Sequence, residues 1–205
     1  MKVAAFDFDG TLTRSDTLGP FLREVCGTVP FVRALAADAP RLALAGIGAG
    51  SRDAAKERML RRLLGGREHA ELVVRGRAFA ERVATTGMRP ETVARLEWHA
   101  HEGHELAIVS ASLDVYLEPI AERLGVGTVL CSRLEVNGAG LVTGNLVGGN
   151  CRAAEKLRRI RERFGEDGYE LWAYGNSAGD AEMLAAADHP VWVGRRVGRL
   201  RLPTP

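Results

Sequence analysis

The sequence predicts an α/β protein: a Rossmann-like, mostly parallel sheet with helices on both faces, plus an inserted all-helical cap. Three observations carry that expectation. Short apolar runs that stop at Gly or polar residues recur along the chain, and such runs read as buried strands ending in loops. Helix-length segments fall between them, and strands alternating with helices argue for a parallel sheet covered on both faces. One long Ala-, Leu- and Arg-rich stretch breaks this rhythm directly after the first strand.

The elements follow in order. Val3 to Phe6 is a buried strand running into Asp7-Phe8-Asp9-Gly10-Thr11. Residues 15–87 read as three or four helices, with a flexible break near 46–51 where Gly46, Gly48 and Gly50 fall. Pro90 opens a helix that reaches about Glu102 and ends at Gly103. Glu105 to Val109 is the second strand, Leu113 to Leu124 a helix closed by Gly125, and Thr128 to Leu130 the third strand. Residues 133–147 alternate and turn at Asn137-Gly138, the pattern of a hairpin. Ala153 to Phe164 is a helix, Leu171 to Tyr174 the fourth strand, Ala178 to Ala187 a helix, and Val191 to Val193 the fifth strand. This divides the chain into a core of 1–14 and 88–205 and a cap of 15–87.

The bulk numbers narrow the function. The chain has 205 residues, 46% of them hydrophobic and 26% charged, which suits a globular protein with a real core. A net charge of +2 gives no footprint for nucleic acid. No run approaches the roughly 18 apolar residues of a membrane span, and no apolar leader precedes the first acid, so stable membrane insertion and secretion are not expected. The three cysteines form no C-x-x-C pair and read as reduced thiols of a cytoplasmic protein. Nothing in the sequence sets the oligomeric state.

Ligands of open α/β sheets bind outside the carboxyl ends of the strands. The residues that follow the strands are therefore the candidates. They are Asp7 and Asp9, then Ser110 with Ala111 and Ser112, then Asn176, Ser177 and Asp180. Two carboxylates as close as Asp7 and Asp9 repel unless a cation lies between them or one is protonated. A hard, oxygen-preferring cation such as Mg²⁺ is the natural partner, and it would hold a substrate phosphate as well. Gly10 lets the backbone approach a ligand, and the loop amides can face phosphate oxygens. The same pair could also simply cap a loop.

Asp7-Phe8-Asp9-Gly10-Thr11-Leu12-Thr13 resembles the nucleophile motif of the haloacid dehalogenase superfamily. Ile108-Val109-Ser110-Ala111-Ser112 resembles the second motif, Lys156 the third, and Tyr174-Gly175-Asn176-Ser177-Ala178-Gly179-Asp180 the fourth. The cap and the hairpin before Lys156 are similar to those of the phosphoserine-phosphatase-like branch. The resemblance implies a Mg²⁺-dependent phosphatase acting on a small phosphorylated substrate. Asp7 would be the nucleophile and Asp9 the general acid and base. Gly10, Thr11, Ser110, Ala111 and Lys156 would bind phosphate. Asp7, Asp9, Asn176 and Asp180 would form the metal site, with Asp180 favoured because the fourth motif usually has an acid where Asn176 stands. Asp16 lies where that branch often places an acid that meets a substrate amine; it could equally cap the first cap helix. Lys156 could instead be a solvated residue on an Arg-rich helix.

Other features have blander expectations. His99, His101 and His104 read as surface histidines beside a helix end rather than a zinc site. Gly46-Ile47-Gly48-Ala49-Gly50 follows no strand and reads as a cap hinge rather than a dinucleotide loop. Trp98, Trp172 and Trp192 are expected in the core or at its rim. Rival functions are a lipid-like phosphate as substrate, from the apolar stretch Leu42 to Ile47, a phosphotransferase, and a non-catalytic phosphate-binding module kept open by Asn176.

Overall fold

The structure is a computed structural model that describes residues 1–46 and 52–194, the side chains of 38–52 aside. Its sheet has the order β4-β3-β2-β1-β5-β6. The strands are β1 (Lys2–Phe6), β2 (Glu105–Leu113), β3 (Thr128–Val136), β4 (Val142–Val147), β5 (Glu170–Gly175) and β6 (His189–Trp192). All neighbours pair in parallel except β3 and β4, which are antiparallel. The α/β class with a mostly parallel sheet is therefore as the sequence predicts. Two details differ. The third strand and the first arm of the hairpin form one continuous strand, β3. The second strand runs on to Leu113 through an irregularity between Ser110 and Leu113. Such a bulge re-aims side chains, and this one falls on the Ser110-Ala111-Ser112 segment.

β1 shows how the sheet is covered. Val3 and Ala5 pack with Ala107, Val109, Ile160, Met183 and Leu184 on one face. Ala4 and Phe6 face the opposite layer, with Leu96, Ile108, Leu117 and Tyr174. Successive residues of a strand point to opposite faces, so a strand buried on both reads as an uninterrupted apolar run. The first layer contains α7 (Ala154–Phe164) and α8 (Ala181–Ala185); the second contains α5 (Pro90–His101) and α6 (Asp114–Arg123). The helix expected at 178–187 is split into a tight turn at 178–180 followed by α8.

Among the described residues, four α-helices run between β1 and α5: α1 (Leu18–Cys26), α2 (Thr28–Gly46), α3 (Arg52–Leu64) and α4 (His69–Arg82). Phe21 of α1 and Phe79 of α4 meet Tyr116 of α6 with ring centroids 4.9 and 5.4 Å away. Gly76 allows α4 its close approach to α6, since a Cβ there would lie 2.0 Å from the Val115 carbonyl oxygen. The glycine-rich break expected at 46–51 lies outside the described residues, except for Gly46 at the end of α2.

The histidines correct an expectation. His101 is exposed, but His99 and His104 are 0% and 9% exposed. Their Nδ1 atoms are 2.7 Å apart, and His99 Nε2 is 2.9 Å from the Tyr174 hydroxyl. The reason is that α5 turns this side of its last turn towards the sheet, so both rings enter an aromatic layer with Trp98 and Trp172. Burial, and then the neighbouring His104, press the His99 pKa down to about 3. The two rings serve as hydrogen-bonded core rather than as ligands.

Candidate active site

The carboxyl ends of β1, β2 and β5 converge on one cavity of about 400 Å³, bordered by Asp7, Asp9, Gly10, Ser110, Ala111, Lys156, Asn176 and Asp180. The backbone fixes Asp7 first. Its N–H continues the β1–β5 ladder by donating to the Tyr174 carbonyl at 2.8 Å. Lys156 rises from the first turn of α7 and is 2% exposed. Its ammonium donates to Asp7 Oδ1 and Asp180 Oδ1, each at 2.6 Å. A buried lysine with two short contacts is not a solvated surface residue.

The charges in this trio do not balance. Burial works against the Lys156 ammonium, but Asp7 and Asp180 outweigh it and raise its pKa. Burial would also raise Asp180, but Lys156 and the Ser177 amide and hydroxyl hold it below the usual carboxylate range. Asp7 goes the other way: burial, with help from Asp180, raises its pKa despite Lys156. One ammonium thus serves two carboxylates, and the residual negative charge sits on Asp7. Such a site favours a proton or a cation.

Asp9 is set apart from the trio. Its Oδ1 accepts from the Thr17 amide at 2.9 Å and the Thr17 hydroxyl at 2.7 Å, and its Oδ2 accepts from the Ser112 hydroxyl at 2.7 Å. Burial, followed by the charge of Asp16, lifts its pKa to about 7. A carboxyl poised there can give or take a proton near neutrality. Asp16 is exposed, borders the cavity and accepts from the Gly19 amide at 3.2 Å.

Gly10 is required twice over. Its φ is +77°, and a Cβ would stand 2.0 Å from Asn176 Nδ2. Ser110 borders the cavity and is buried, its hydroxyl accepting from the Ser112 amide at 3.1 Å. Thr11 is placed differently from expectation: it is buried outside the cavity wall and donates to Asp7 Oδ2 at 2.9 Å. Its hydroxyl orients the carboxylate rather than opening onto the cavity. Asp180 is also engaged internally, with Oδ2 accepting from the amides of Asn176 and Ser177 and the Ser177 hydroxyl. The Asn176 carboxamide borders the cavity and makes no hydrogen bond to the described residues.

Ser112, one of the expected strand-end candidates, holds Asp9 together with Thr17. Two participants escaped the sequence. Thr17 is one, a short polar side chain with no signal of its own. The other is Lys56 of α3, which donates to the Ala111 carbonyl and to Asn150 Oδ1 at 2.7 Å. Asn150 in turn donates to Asp53 at 2.6 Å. Burial lowers the Lys56 pKa to about 8, against the pull of Asp9. A compositional signal was present: only three of the 28 basic residues are lysines, and two of those three lie at or behind this cavity.

The comparisons fit this geometry. The family model of haloacid dehalogenase-like hydrolases matches residues 4–185. The chain belongs to that family. It is 39% identical over 186 residues to Protein CicA of Caulobacter vibrioides, covering 91% of this chain and 83% of that one. Among solved structures, a Bordetella pertussis protein of unknown function superposes with TM-score 0.76 at 24% identity, over 90% of this chain and 86% of that one. A substrate-bound phosphoserine phosphatase superposes with TM-score 0.61 at 20% identity, over 91% and 82% of the two chains. The fold is thus one shared with phosphoserine phosphatase, and the chain is a member of the haloacid dehalogenase-like hydrolases.

Proposed function

We propose that the chain is a Mg²⁺-dependent phosphatase that hydrolyses a small phosphomonoester through a phosphoryl group carried on Asp7. The observation that supports this most is the division of labour between two neighbouring carboxyls. Asp7 is held by Lys156 and Thr11 with an uncompensated charge, while Asp9, two residues on, is poised near pH 7.

The donors around Asp7 suit Mg²⁺. They are all oxygens: the Asp7 carboxylate, the Asn176 carboxamide and, with a rearranged Lys156 contact, Asp180. Among the described residues, no three His, Cys, Asp or Glu side chains cluster as a metal cage. Mg²⁺ commonly takes one or two carboxylates together with waters and substrate phosphate, so two acids and an amide are a workable set. Bound there, Mg²⁺ would supply positive charge to the phosphoryl oxygens.

The protein's own groups do the rest. An Asp7 carboxylate oxygen attacks phosphorus, and the bond to the leaving alkoxide breaks as Asp9 gives that oxygen its proton. Asp9 then takes a proton from water, whose oxygen attacks the aspartyl-phosphate and frees phosphate and Asp7. Lys156 and the Ser110 segment stabilise the equatorial oxygens. Residues 15–87 are proposed as the cap that covers the cavity and selects the substrate, with Asp16 at its edge. Phosphoserine is a candidate substrate, as the likeness to phosphoserine phosphatase supports the fold that accepts it. The three free cysteines accord with a cytoplasmic setting.

The test is phosphate release from a generic phosphomonoester with Mg²⁺, alongside mass spectrometry of rapidly quenched enzyme. A covalent phosphate on Asp7, and loss of turnover with chelator, are expected. Full turnover in excess chelator would overturn the proposal.

A further inference from the structure

The cavity wall holds two guanidiniums that the phosphoryl chemistry leaves unused, those of Arg14 and Arg152. Arg152 lies in the turn between β4 and α7, four residues before Lys156. The turn is pinned: Arg152 N donates to the Asn150 carbonyl at 2.8 Å, and Ala153 N to the Gly179 carbonyl at 2.9 Å. Between those anchors and α7, Ala153 takes φ 55° and ψ −131°, a sparsely populated conformation for any residue but glycine. Backbone strain of this kind gathers at ligand sites.

The Arg152 side chain lies across Gly179. A Cβ on Gly179 would be 3.2 Å from both Cγ and Nε of Arg152. From there it borders the cavity beside Asn176 and Ser177. It is half-buried, and its guanidinium has no hydrogen-bond or ion-pair partner among the described residues. The other cations of the wall are engaged. Lys156 holds Asp7 and Asp180, and Arg14 reaches the Thr86 carbonyl at 3.4 Å.

We propose that Arg152 is a specificity residue that binds a second oxyanion, a carboxylate or a further phosphate, on the leaving-group side of the substrate. The inference rests on the phosphatase proposal for the other half of that substrate. The phosphoryl oxygens already have Lys156 and the Ser110 segment, both beside Asp7. Arg152 makes no hydrogen bond or ion pair with Asp7 and leans on Gly179 of the 177–179 loop instead. A cavity of about 400 Å³ lies within the range of small-molecule sites and has room for more than a phosphoryl group. The planar guanidinium fork matches carboxylate and phosphate in a bidentate manner, where a lysine would offer a point charge.

Non-hydrolysable probes test this without turnover. Propylphosphonate, 3-phosphonopropionate and ethane-1,2-bisphosphonate are titrated by calorimetry, with Mg²⁺, into the wild type, Arg152→Lys and Arg152→Gln. The wild type should bind at least one of the doubly anionic probes on the order of tenfold more tightly than propylphosphonate. Whichever probe gains tells carboxylate from phosphate. Arg152→Gln should erase that preference while leaving propylphosphonate affinity nearly unchanged, and Arg152→Lys should restore part of it. Equal affinities in the wild type, or an equal loss for all probes in Arg152→Gln, would overturn the assignment while leaving phosphatase activity standing. If no probe binds, the assignment and the phosphatase proposal fall together.

Discussion

The two faces of β1 and β5 bury polar groups in opposite ways. On the α7 face, Lys156 holds Asp7 and Asp180 at 2.6 Å as a buried cluster with one carboxylate in excess. On the α5 face, His99, His104 and Tyr174 form a chain of hydrogen bonds with no net charge required. Only a residue step separates them, since Phe6 stacks on Tyr174 at 4.3 Å and Asp7 follows Phe6. Desolvating an ion is expensive unless it is fully compensated. The histidine–tyrosine chain pairs its own ring nitrogens and hydroxyl, with the Arg95 guanidinium beside Tyr174. The ionic one holds a carboxylate in excess and so favours a proton or a cation, which supports the placing of the proposed chemistry on that face.

The largest effect should come from breaking the ionic cluster at its centre. Lys156→Met leaves two carboxylates facing each other in a buried site. Unfolding in denaturant at pH 7 should show a loss of about 3–5 kcal/mol, the range for removing one partner of a buried pair. Asp7→Asn removes the excess charge instead, so its stability should match or exceed that of the wild type while turnover falls by at least about 10³-fold. Equal destabilisation by both variants would show that the excess charge is not on Asp7.

How much of this was legible depended on residue type. The strands announced themselves as apolar runs ending in polar residues, and the acids after β1 and β5 stood out because packing gives no reason for them. The ionic face was therefore readable. The neutral face was not: histidines on either side of the helix-ending Gly103 look like surface, and only the packing of α5 on the sheet buries His99 and His104. Of the supports of Asp9, Ser112 stood among the strand-end candidates, but Thr17 was hidden, an ordinary polar residue until the bulge in β2 and the start of α1 bring the two together. Thr11 was legible as a site residue but not in its orientation, which only coordinates reveal.

The next effect tests the neutral face. His99 has a folded pKa of about 3 against about 6.5 when unfolded, so the unfolded chain binds more protons between those values. Stability should therefore be fully present above pH 6.5 and be lost as pH falls towards 3, by at most about 1.4 kcal/mol per pH unit from this group. His99→Gln should be less stable than the wild type at pH 7 and show a flatter decline on acidification. An acid profile unchanged by His99→Gln would mean the ring is already charged in the fold.

A smaller effect addresses how the ionic face takes its cation. The Asn176 carboxamide has no hydrogen bond among the described residues, whereas both Asp180 oxygens are engaged. Asn176→Asp adds one negative charge beside the proposed cation and should lower the Mg²⁺ concentration for half-maximal activity by about tenfold, equivalent to about 1.4 kcal/mol. No change in that concentration would place Asn176 outside the metal's reach.

The smallest effect concerns the backbone of the ionic face. Ala153 holds φ 55° at the entry to α7, where its Cβ crowds the backbone; an L-residue in left-handed space is strained by roughly 1–2 kcal/mol. Glycine meets no such strain, but it gives the unfolded chain extra freedom that costs about 0.4–1 kcal/mol. The difference leaves a net gain of about 0.5–1 kcal/mol for Ala153→Gly. For a chain of this size, that corresponds to a rise of roughly 1–4 °C in Tm. Ala153→Val should move Tm the other way, because a β-branched side chain is worse still at positive φ. The same pair separates strain from function. If the turn exists to place Arg152 and Lys156, Ala153→Gly should stabilise the fold while loosening the binding of doubly anionic phosphonates. A Tm that falls on going to glycine would show that the Ala153 methyl group contributes packing greater than the strain it causes.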